Sequence, residues 1–446
     1  MSKLFGTDGI RGEANRILTP ELALRVGRAS RVVTDNGATV VIGRDTRRSG
    51  GMIQSALASG MASVGLDVID LSVIPSPAIP RMSKYYDADL GSVVSASHNP
   101  PEDNGIKFFN REGMKLGREE EQRIEERLEG GCESSACPSK SVGQIELASD
   151  AQELYMDLIQ QRMVNKTQPF RGIRLAMDCA NGATYQVAPT LMERLGAEVD
   201  TINTSPDGDN INVRCGSTNL GPLKEKIEEQ SYDLGVAFDG DGDRALFVDE
   251  EGKEVDGDQI IFVFARWLQG KGELDPPLVV STVASNLGLE RSLTGEGIEL
   301  RRTSVGDRNV AREMIETDAL VGGEQSGHII LRRFASTGDG LITAIKMVQV
   351  LSESGKALSE LTSGFTRYPQ RQVNVQTENK EEFALEGPVF EAVREWENKL
   401  GPEGRVLIRP SGTQPVVRVM VEGMEDELTE RAVQEISRAV DSYLNS

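Results

Sequence analysis

Residues 39–95 read TVVIGRDTRRSGGMIQSALASGMASVGLDVIDLSVIPSPAIPRMSKYYDADLGSVVS, and the fold class follows from them. Apolar runs of strand length at Thr39 to Ile42, Leu66 to Leu71 and Gly91 to Ser95 alternate with helix-length segments at Ser49 to Val64 and Ala78 to Tyr86. Such alternation is the rhythm of βα units, which build a mostly parallel sheet. The same grammar returns at Arg174 to Met177 before Gln186 to Leu195, and at Leu278 to Thr282 before Leu287 to Leu293, so three similar α/β units stand in series. From about Gln370 the order becomes strand, Glu-rich helix, strand. There Arg405 to Arg409 and Val416 to Glu422 flank a Pro-Ser-Gly-Thr turn, and a last helix covers Asp426 to Tyr443. The sequence predicts an α/β fold of three related domains plus a smaller C-terminal α+β domain. Breaks at Gly130 to Gly143, near Asp249 to Asp258 and near Ser363 to Gln370 set the expected boundaries at 1–150, 151–252, 253–366 and 367–446.

Composition narrows the function classes. The chain has 446 residues, 38% hydrophobic and 27% charged, enough for several sizeable cores. Its 70 Asp plus Glu against 49 Lys plus Arg leave a formal charge of -21, which repels nucleic acid and anionic membranes. The opening MSKLFGTDGIRG has no apolar stretch of signal-peptide type, and no run of about 18 apolar residues occurs, so a soluble cytoplasmic protein is expected. The four cysteines, Cys132, Cys137, Cys179 and Cys215, do not form the paired C-x-x-C spacing of a structural zinc site.

The sharpest chemical signal is Asp239-Gly240-Asp241-Gly242-Asp243-Arg244, directly after the apolar run Leu234 to Phe238. Carboxylates at every second position can turn their oxygens to one hard divalent cation, and magnesium suits a site that also holds phosphate. A solvated acidic turn would not need a glycine between each pair. An EF-hand loop counted from Asp239 would reach Glu250 at its last position but has Arg244 where it needs glycine, and its flanks are strand-like. A second segment, Ser95-Ala96-Ser97-His98-Asn99-Pro100, follows the strand at Gly91 to Val94 and leads into Asn104-Gly105-Ile106-Lys107. A serine at the C-terminal end of a strand sits where α/β folds place ligands. Adjacent His98 is expected not to face Ser97, so a hydrolase-type pair is not supported, and Lys107 could equally be a solvated lysine. The third segment, Gly322-Gly323-Glu324-Gln325-Ser326-Gly327-His328, offers hydrogen-bonding groups suited to sugar hydroxyls. The fourth, Arg409-Pro410-Ser411-Gly412-Thr413 with Arg418, offers guanidinium groups, hydroxyls and turn amides for a phosphate, where a plain hairpin turn would need neither arginine.

Together with Gly6-Thr7-Asp8-Gly9-Ile10-Arg11-Gly12, these four segments resemble the α-D-phosphohexomutase family, in this order and over essentially the whole chain. The resemblance implies four domains around a central cleft, with one motif from each converging there. It implies that Ser97 carries a phosphoryl group and that Asp239, Asp241 and Asp243, with phosphorylated Ser97, hold one Mg²⁺. Arg11, Lys107 and Arg244 would lie near the transferred group, His98 beside Ser97 among the catalytic residues, and Lys107 or His328 would transfer protons. Glu324 and Ser326 would hold sugar hydroxyls, while Arg409, Ser411, Gly412, Thr413 and Arg418 would anchor the substrate's non-reacting phosphate. The implied substrate is a hexose phosphate, and the implied reaction is a pair of phosphoryl transfers through a hexose 1,6-bisphosphate, which also primes the enzyme. Gln325, the opening Phe5 to Gly12 and Val305-Gly306-Asp307-Arg308 look most like the branch that interconverts glucosamine 6-phosphate and glucosamine 1-phosphate for UDP-N-acetylglucosamine synthesis. Thr303-Ser304 and Gln414 depart from that branch and leave a phosphomannomutase or phosphoglucomutase as the alternative within the family. From other classes, a magnesium-dependent sugar-phosphate phosphatase and a non-catalytic sugar-phosphate sensor are the competing readings. Oligomeric state is left open, because no helix shows a self-complementary apolar face.

Overall fold

A computed structural model describes residues 4–6, 8–35, 37–131, 136–163, 168–380, 383–411 and 415–445. Three α/β sheets follow one another along the chain, and they share one internal plan. In each, two parallel strands are followed by a third that carries a functional loop at its C-terminal end, and then by an antiparallel fourth. The first sheet takes these from Thr39–Arg44, Asp67–Val73, Leu90–Val94 and Asp103–Asn110. The second uses Arg174–Asp178, Glu198–Ile202, Leu234–Phe238 and Ala245–Val248, and the third uses Leu278–Thr282, Glu299–Thr303, Val321–Gly323 and Ile329–Leu331. In all three the spatial order is fourth, third, first, second, so the loop between the third and fourth strands occupies the same place each time. The first sheet is extended by Ile10–Glu13 at one edge and Ile145–Leu147 at the other, and the second by Glu254–Val255.

The predicted three-plus-one architecture is thus present. The antiparallel strand Asp103–Asn110 is missing from the sequence reading, because Asn104 and Gly105 interrupt its apolar pattern and Lys107 sits in its middle. The helices start where their caps dictate. Asp256 accepts from the Gln259 amide ahead of Gly257–Gly270, and Asp339 accepts from the Ile342 amide ahead of Gly340–Ser354.

The first three units share one hydrophobic core, in which Ile79 and Met82 of the first, Tyr155 and Leu191 of the second, and Phe264 and Leu341 of the third are all buried. The C-terminal unit has a core of its own. Its antiparallel sheet, in the order Gln370–Gln376, Val416–Gly423, Gly404–Pro410, packs Val417, Val419 and Val421 against Trp396, Ile436 and Val440 of the helices Gly387–Leu400 and Asp426–Leu444. Polar contacts join it to the third unit: Arg405 donates to the Ser285 carbonyl at 2.8 Å, and Glu422 accepts from the Leu287 amide at 3.2 Å. Separate cores joined by polar contacts suit a unit that shifts as a body. Among the described residues, no helix is long and apolar enough to cross a membrane.

Candidate active site

The shared plan brings the loops of the three sheets to one point. Ser97 leaves its strand in the left-handed region, with φ of 53°, and is 1% exposed. Its hydroxyl donates to Asp239 Oδ2 at 2.7 Å across the junction between the first and second units. The donor oxygens of Asp239, Asp241 and Asp243 lie within 4.8 Å of one another, and all three side chains are buried. Gly240 has to be glycine here, because a Cβ would stand 2.6 Å from the Ser97 carbonyl oxygen, and Gly242 takes φ of +75°.

Three buried carboxylates in one place demand compensation. Asp241 Oδ2 accepts from Ser76 at 2.6 Å and from Lys107 Nζ at 3.0 Å. Burial raises the pKa of Asp239, and the charges of Asp243 and Asp241 raise it further, so this carboxyl sits well above its ordinary range. Burial works against ionisation of Asp243 too, but His328, Lys107 and Arg244 hold it well below that range. Asp241 Oδ1 and Asp243 Oδ1 are buried and accept no hydrogen bond from the described residues. Orphaned hard oxygens in a strand-flanked loop fit a divalent cation, which would complete their coordination.

Lys107 is 2% exposed and 3.2 Å from Asp8, which rules out the reading of a solvated lysine. Burial alone would lower its pKa, but Asp241 and Asp8 outweigh burial and raise it. Asp8 in turn accepts from Arg11 and Lys115, and Lys115 also pairs with Asp307. The left-handed turn at Ser97 brings His98 Nδ1 to 3.4 Å from its hydroxyl, so the two neighbours face each other more closely than adjacency suggested. Burial, then Arg244 and Arg11, lowers the His98 pKa to about 4, so the ring is neutral near pH 7. His328 is buried, with Nδ1 3.5 Å from Asp243 and Nε2 accepting from the Gly338 amide at 3.0 Å. That bond fixes the proton on the nitrogen that faces Asp243.

A cleft of about 800 Å³ opens beside these groups, lined by Asp8, Arg11, His98, Arg244, Glu324 and Arg418 among others. Glu324 accepts from the Gly306 amide at 3.2 Å, whereas Gln325 turns away to Asp256 at 3.1 Å. The Ser326 hydroxyl is buried without a hydrogen bond among the described residues. Arg409 and Arg418 stand directly opposite each other on paired antiparallel strands, where like charges repel. Burial and then Arg418 lower the Arg409 pKa, opposed by Glu324. Ser411 is buried beside them, while Gly412 and Thr413 lie outside the described residues.

Sequence reasoning missed the support behind Ser97. Asp45 and Arg47 form a fully buried ion pair at 2.9 Å. Asp45 accepts from Ser95 at 2.6 Å, and Ser95 accepts from the Ser97 amide at 2.9 Å. Arg47 donates to the carbonyls of Ser97 at 3.0 Å, Asn99 at 2.8 Å and Asp103 at 3.0 Å, and also to that of Pro100. Asn212 reaches across from the second unit to the Ser97 carbonyl at 2.9 Å. An Asp-Thr-Arg triplet at the end of a parallel strand was the available signal; Asn212 and Lys115 had none.

Four family models cover nearly the whole chain: phosphoglucomutase/phosphomannomutase α/β/α domain I over residues 2–134, domain II over 153–252, domain III over 256–368 and the C-terminal domain over 373–439. The chain belongs to the phosphoglucomutase/phosphomannomutase family, the α-D-phosphohexomutases. It is 46% identical to the phosphoglucosamine mutase of Syntrophomonas wolfei over 99% of both chains, and 48% identical to that of Carboxydothermus hydrogenoformans over 99% of this chain and 100% of the relative. In fold it matches the crystal structure of a phosphoglucomutase/phosphomannomutase family protein from Burkholderia thailandensis, with a TM-score of 0.81 at 24% identity, covering 99% of this chain and 98% of that one. This phosphohexomutase is accordingly an isomerase-class phosphotransferase.

Proposed function

We propose that the enzyme interconverts glucosamine 6-phosphate and glucosamine 1-phosphate, the phosphoglucosamine mutase reaction, by way of a phosphorylated Ser97. The observation that carries the mechanism is the Ser97 hydroxyl 2.7 Å from Asp239, beside a cleft lined by its neighbour His98, by Asp243 and by Arg418, which is paired in register with Arg409. Full-length identity to proteins of that name carries the choice of sugar. In the first half-reaction the free hydroxyl of the sugar phosphate attacks the phosphorus on Ser97. The phosphorus–Oγ bond breaks as the new oxygen–phosphorus bond forms, leaving a 1,6-bisphosphate. Neutral His98 takes the hydroxyl proton and returns it to Ser97 Oγ. Lys107 keeps its proton and contributes charge next to the transferred group, while His328 positions Asp243. Asp239, Asp241, Asp243 and the phosphoserine would hold one Mg²⁺, which when bound neutralises phosphoryl charge and polarises the phosphorus.

Arg409 and Arg418, with Ser411, Gly412 and Thr413, anchor the phosphate that does not react, and Glu324 and Ser326 meet the sugar hydroxyls. Turning the bisphosphate over presents its other phosphate to Ser97, so each end of the cleft has to accept either group. The C-terminal unit, placed at 367–446 after units at 1–150, 151–252 and 253–366, closes over the sugar during this turn. A hexose 1,6-bisphosphate primes the serine.

Phosphorus NMR of the purified protein with Mg²⁺, glucosamine 6-phosphate and a trace of bisphosphate tests the reading. Glucosamine 1-phosphate should grow in without inorganic phosphate. Steady release of inorganic phosphate would instead mean a phosphatase, and a preference for mannose or glucose 6-phosphate would move the substrate within the family.

A further inference from the structure

A second basic site lies away from the substrate cleft. The helix Ala78–Tyr85 of the first unit, the helix Ala151–Met163 of the second and residues 332–337 of the third meet around two adjoining cavities of about 260 and 190 Å³. Both are lined by Lys84, Arg162, Phe334 and Ser336, and the larger also by Arg81 and Tyr85. None of these residues lines the 800 Å³ cleft.

Four cations line the two cavities, and among the described residues three of them, Arg81, Lys84 and Arg162, have no carboxylate within the 4.0 Å of an ion pair. Their immediate neighbours show what the local rule would be: Arg332 pairs with Asp318 at 2.9 Å and Arg333 with Glu273 at 2.7 Å. Arg81 and Arg162 are instead held by uncharged groups, the carbonyls of Phe334 at 3.0 Å and Arg333 at 2.7 Å, which orient the guanidinium groups without neutralising them. Arg81 Nε is buried and makes no hydrogen bond among the described residues. Lys84 feels burial first and then the like charges of Arg162 and Arg81, with Glu112 the acid that opposes them. The other acid facing the cluster is Asp339, which acts on Arg81 from the buried side. The net charge of -21 tolerates cations anywhere on the surface, so what sets this junction apart is that Arg81, Lys84 and Arg162 converge with no carboxylate at ion-pair distance, which leaves their charge available to an anion. The same cavity supplies apolar surface: Tyr85 is 55% exposed and shares the lining with Phe334 and Leu158.

We infer that this junction binds an organic phosphate, its phosphate group on Arg81, Lys84 and Arg162 and its apolar body on Tyr85 and Phe334, at a site separate from the substrate cleft. Guanidinium groups pre-oriented by carbonyls suit the fork geometry of a phosphate, and an aromatic wall favours a ligand with a flat or apolar body.

Calorimetric titration of phenyl phosphate into the full-length wild type and a Lys84→Gln/Arg162→Gln variant tests this. Both substituted side chains are exposed and lie outside the catalytic machinery, so kcat and KM for the mutase reaction should match wild type. The wild type should show a class of phenyl phosphate sites whose affinity falls at least about tenfold in the variant. An identical titration in both proteins would assign all binding to the cleft and overturn the inference. Absence of binding by a wild type that is active as a mutase would overturn it as well.

Discussion

Replacing Arg47 with methionine tests how Ser97 is held. The guanidinium is buried, pairs with Asp45 at 2.9 Å, and donates to four carbonyls between Ser97 and Asp103. Methionine keeps most of the volume and removes the charge and every donor. Breaking a buried pair by removing one partner costs about 3–5 kcal/mol, because the other charge stays behind in a low-dielectric site. Burial already raises the Asp45 pKa despite Arg47, so without that partner the carboxyl takes up a proton, which places the loss toward the lower end. The damage is local to residues 95–103, so it should appear there as faster amide hydrogen exchange, by about 100-fold or more for a loss near 3 kcal/mol. Because the loop carries the phosphoryl acceptor, kcat should fall by about 100-fold with KM for the sugar phosphate little changed. A double variant, Asp45→Asn/Arg47→Met, removes the cost of protonating Asp45 but not the loss of the four carbonyl donors, so it should recover only part of the exchange protection and none of kcat. An Arg47→Met protein with wild-type exchange at 95–103 and wild-type kcat would refute the argument that this pair positions Ser97.

Other outcomes follow from the same geometry. Asp243→Asn should weaken binding of Mn²⁺, used as a paramagnetic stand-in for Mg²⁺, by at least about tenfold in a titration read by electron paramagnetic resonance; unchanged affinity would remove Asp243 from the ligand set. Arg418→Gln should raise KM with a smaller effect on kcat, since it would loosen a phosphate held equally in ground and transition states, and steady-state kinetics decide. Lys346 is 4% exposed, packs over Phe334, and burial lowers its pKa from 10.5 to about 8. The folded protein therefore binds fewer protons there than the unfolded chain between about pH 8 and 10.5, so this group makes stability rise with pH across that window and adds nothing to the slope below it. The lowered pKa is worth about 3 kcal/mol near pH 7, and with the Lys346 contacts to Gln349 and Phe334 lost, Lys346→Met should stabilise the protein by about 2 kcal/mol, a gain that should shrink as denaturation is repeated toward pH 10.5.

Much of this was legible in the sequence, for physical reasons that differ by element. The strand Leu278–Thr282 and the helix Asp426–Leu444 were readable because an unbroken apolar run and a long amphipathic pattern are local signals. Asp239, Asp241 and Asp243 were readable because glycines between charged residues serve a loop and not a surface. The strand Asp103–Asn110 was hidden because its stability comes from pairing with Leu90–Val94 and its central Lys107 is matched by Asp241 of another unit, which no local pattern reports. Asn212, Asp307 and Lys115 act through partners 107 to 192 positions away, so their roles appear once the units are assembled.

The central claim is a phosphoryl group relayed through Ser97. Its most direct test is incubation of the protein with Mg²⁺ and glucosamine 1,6-bisphosphate labelled with radioactive phosphate, followed by peptide mapping and analysis of the released sugars. Label should appear on the peptide that contains Ser97 and in glucosamine monophosphate, with none on Ser97→Ala. Label recovered only as inorganic phosphate, or equal labelling of the Ser97→Ala protein, would contradict the relay.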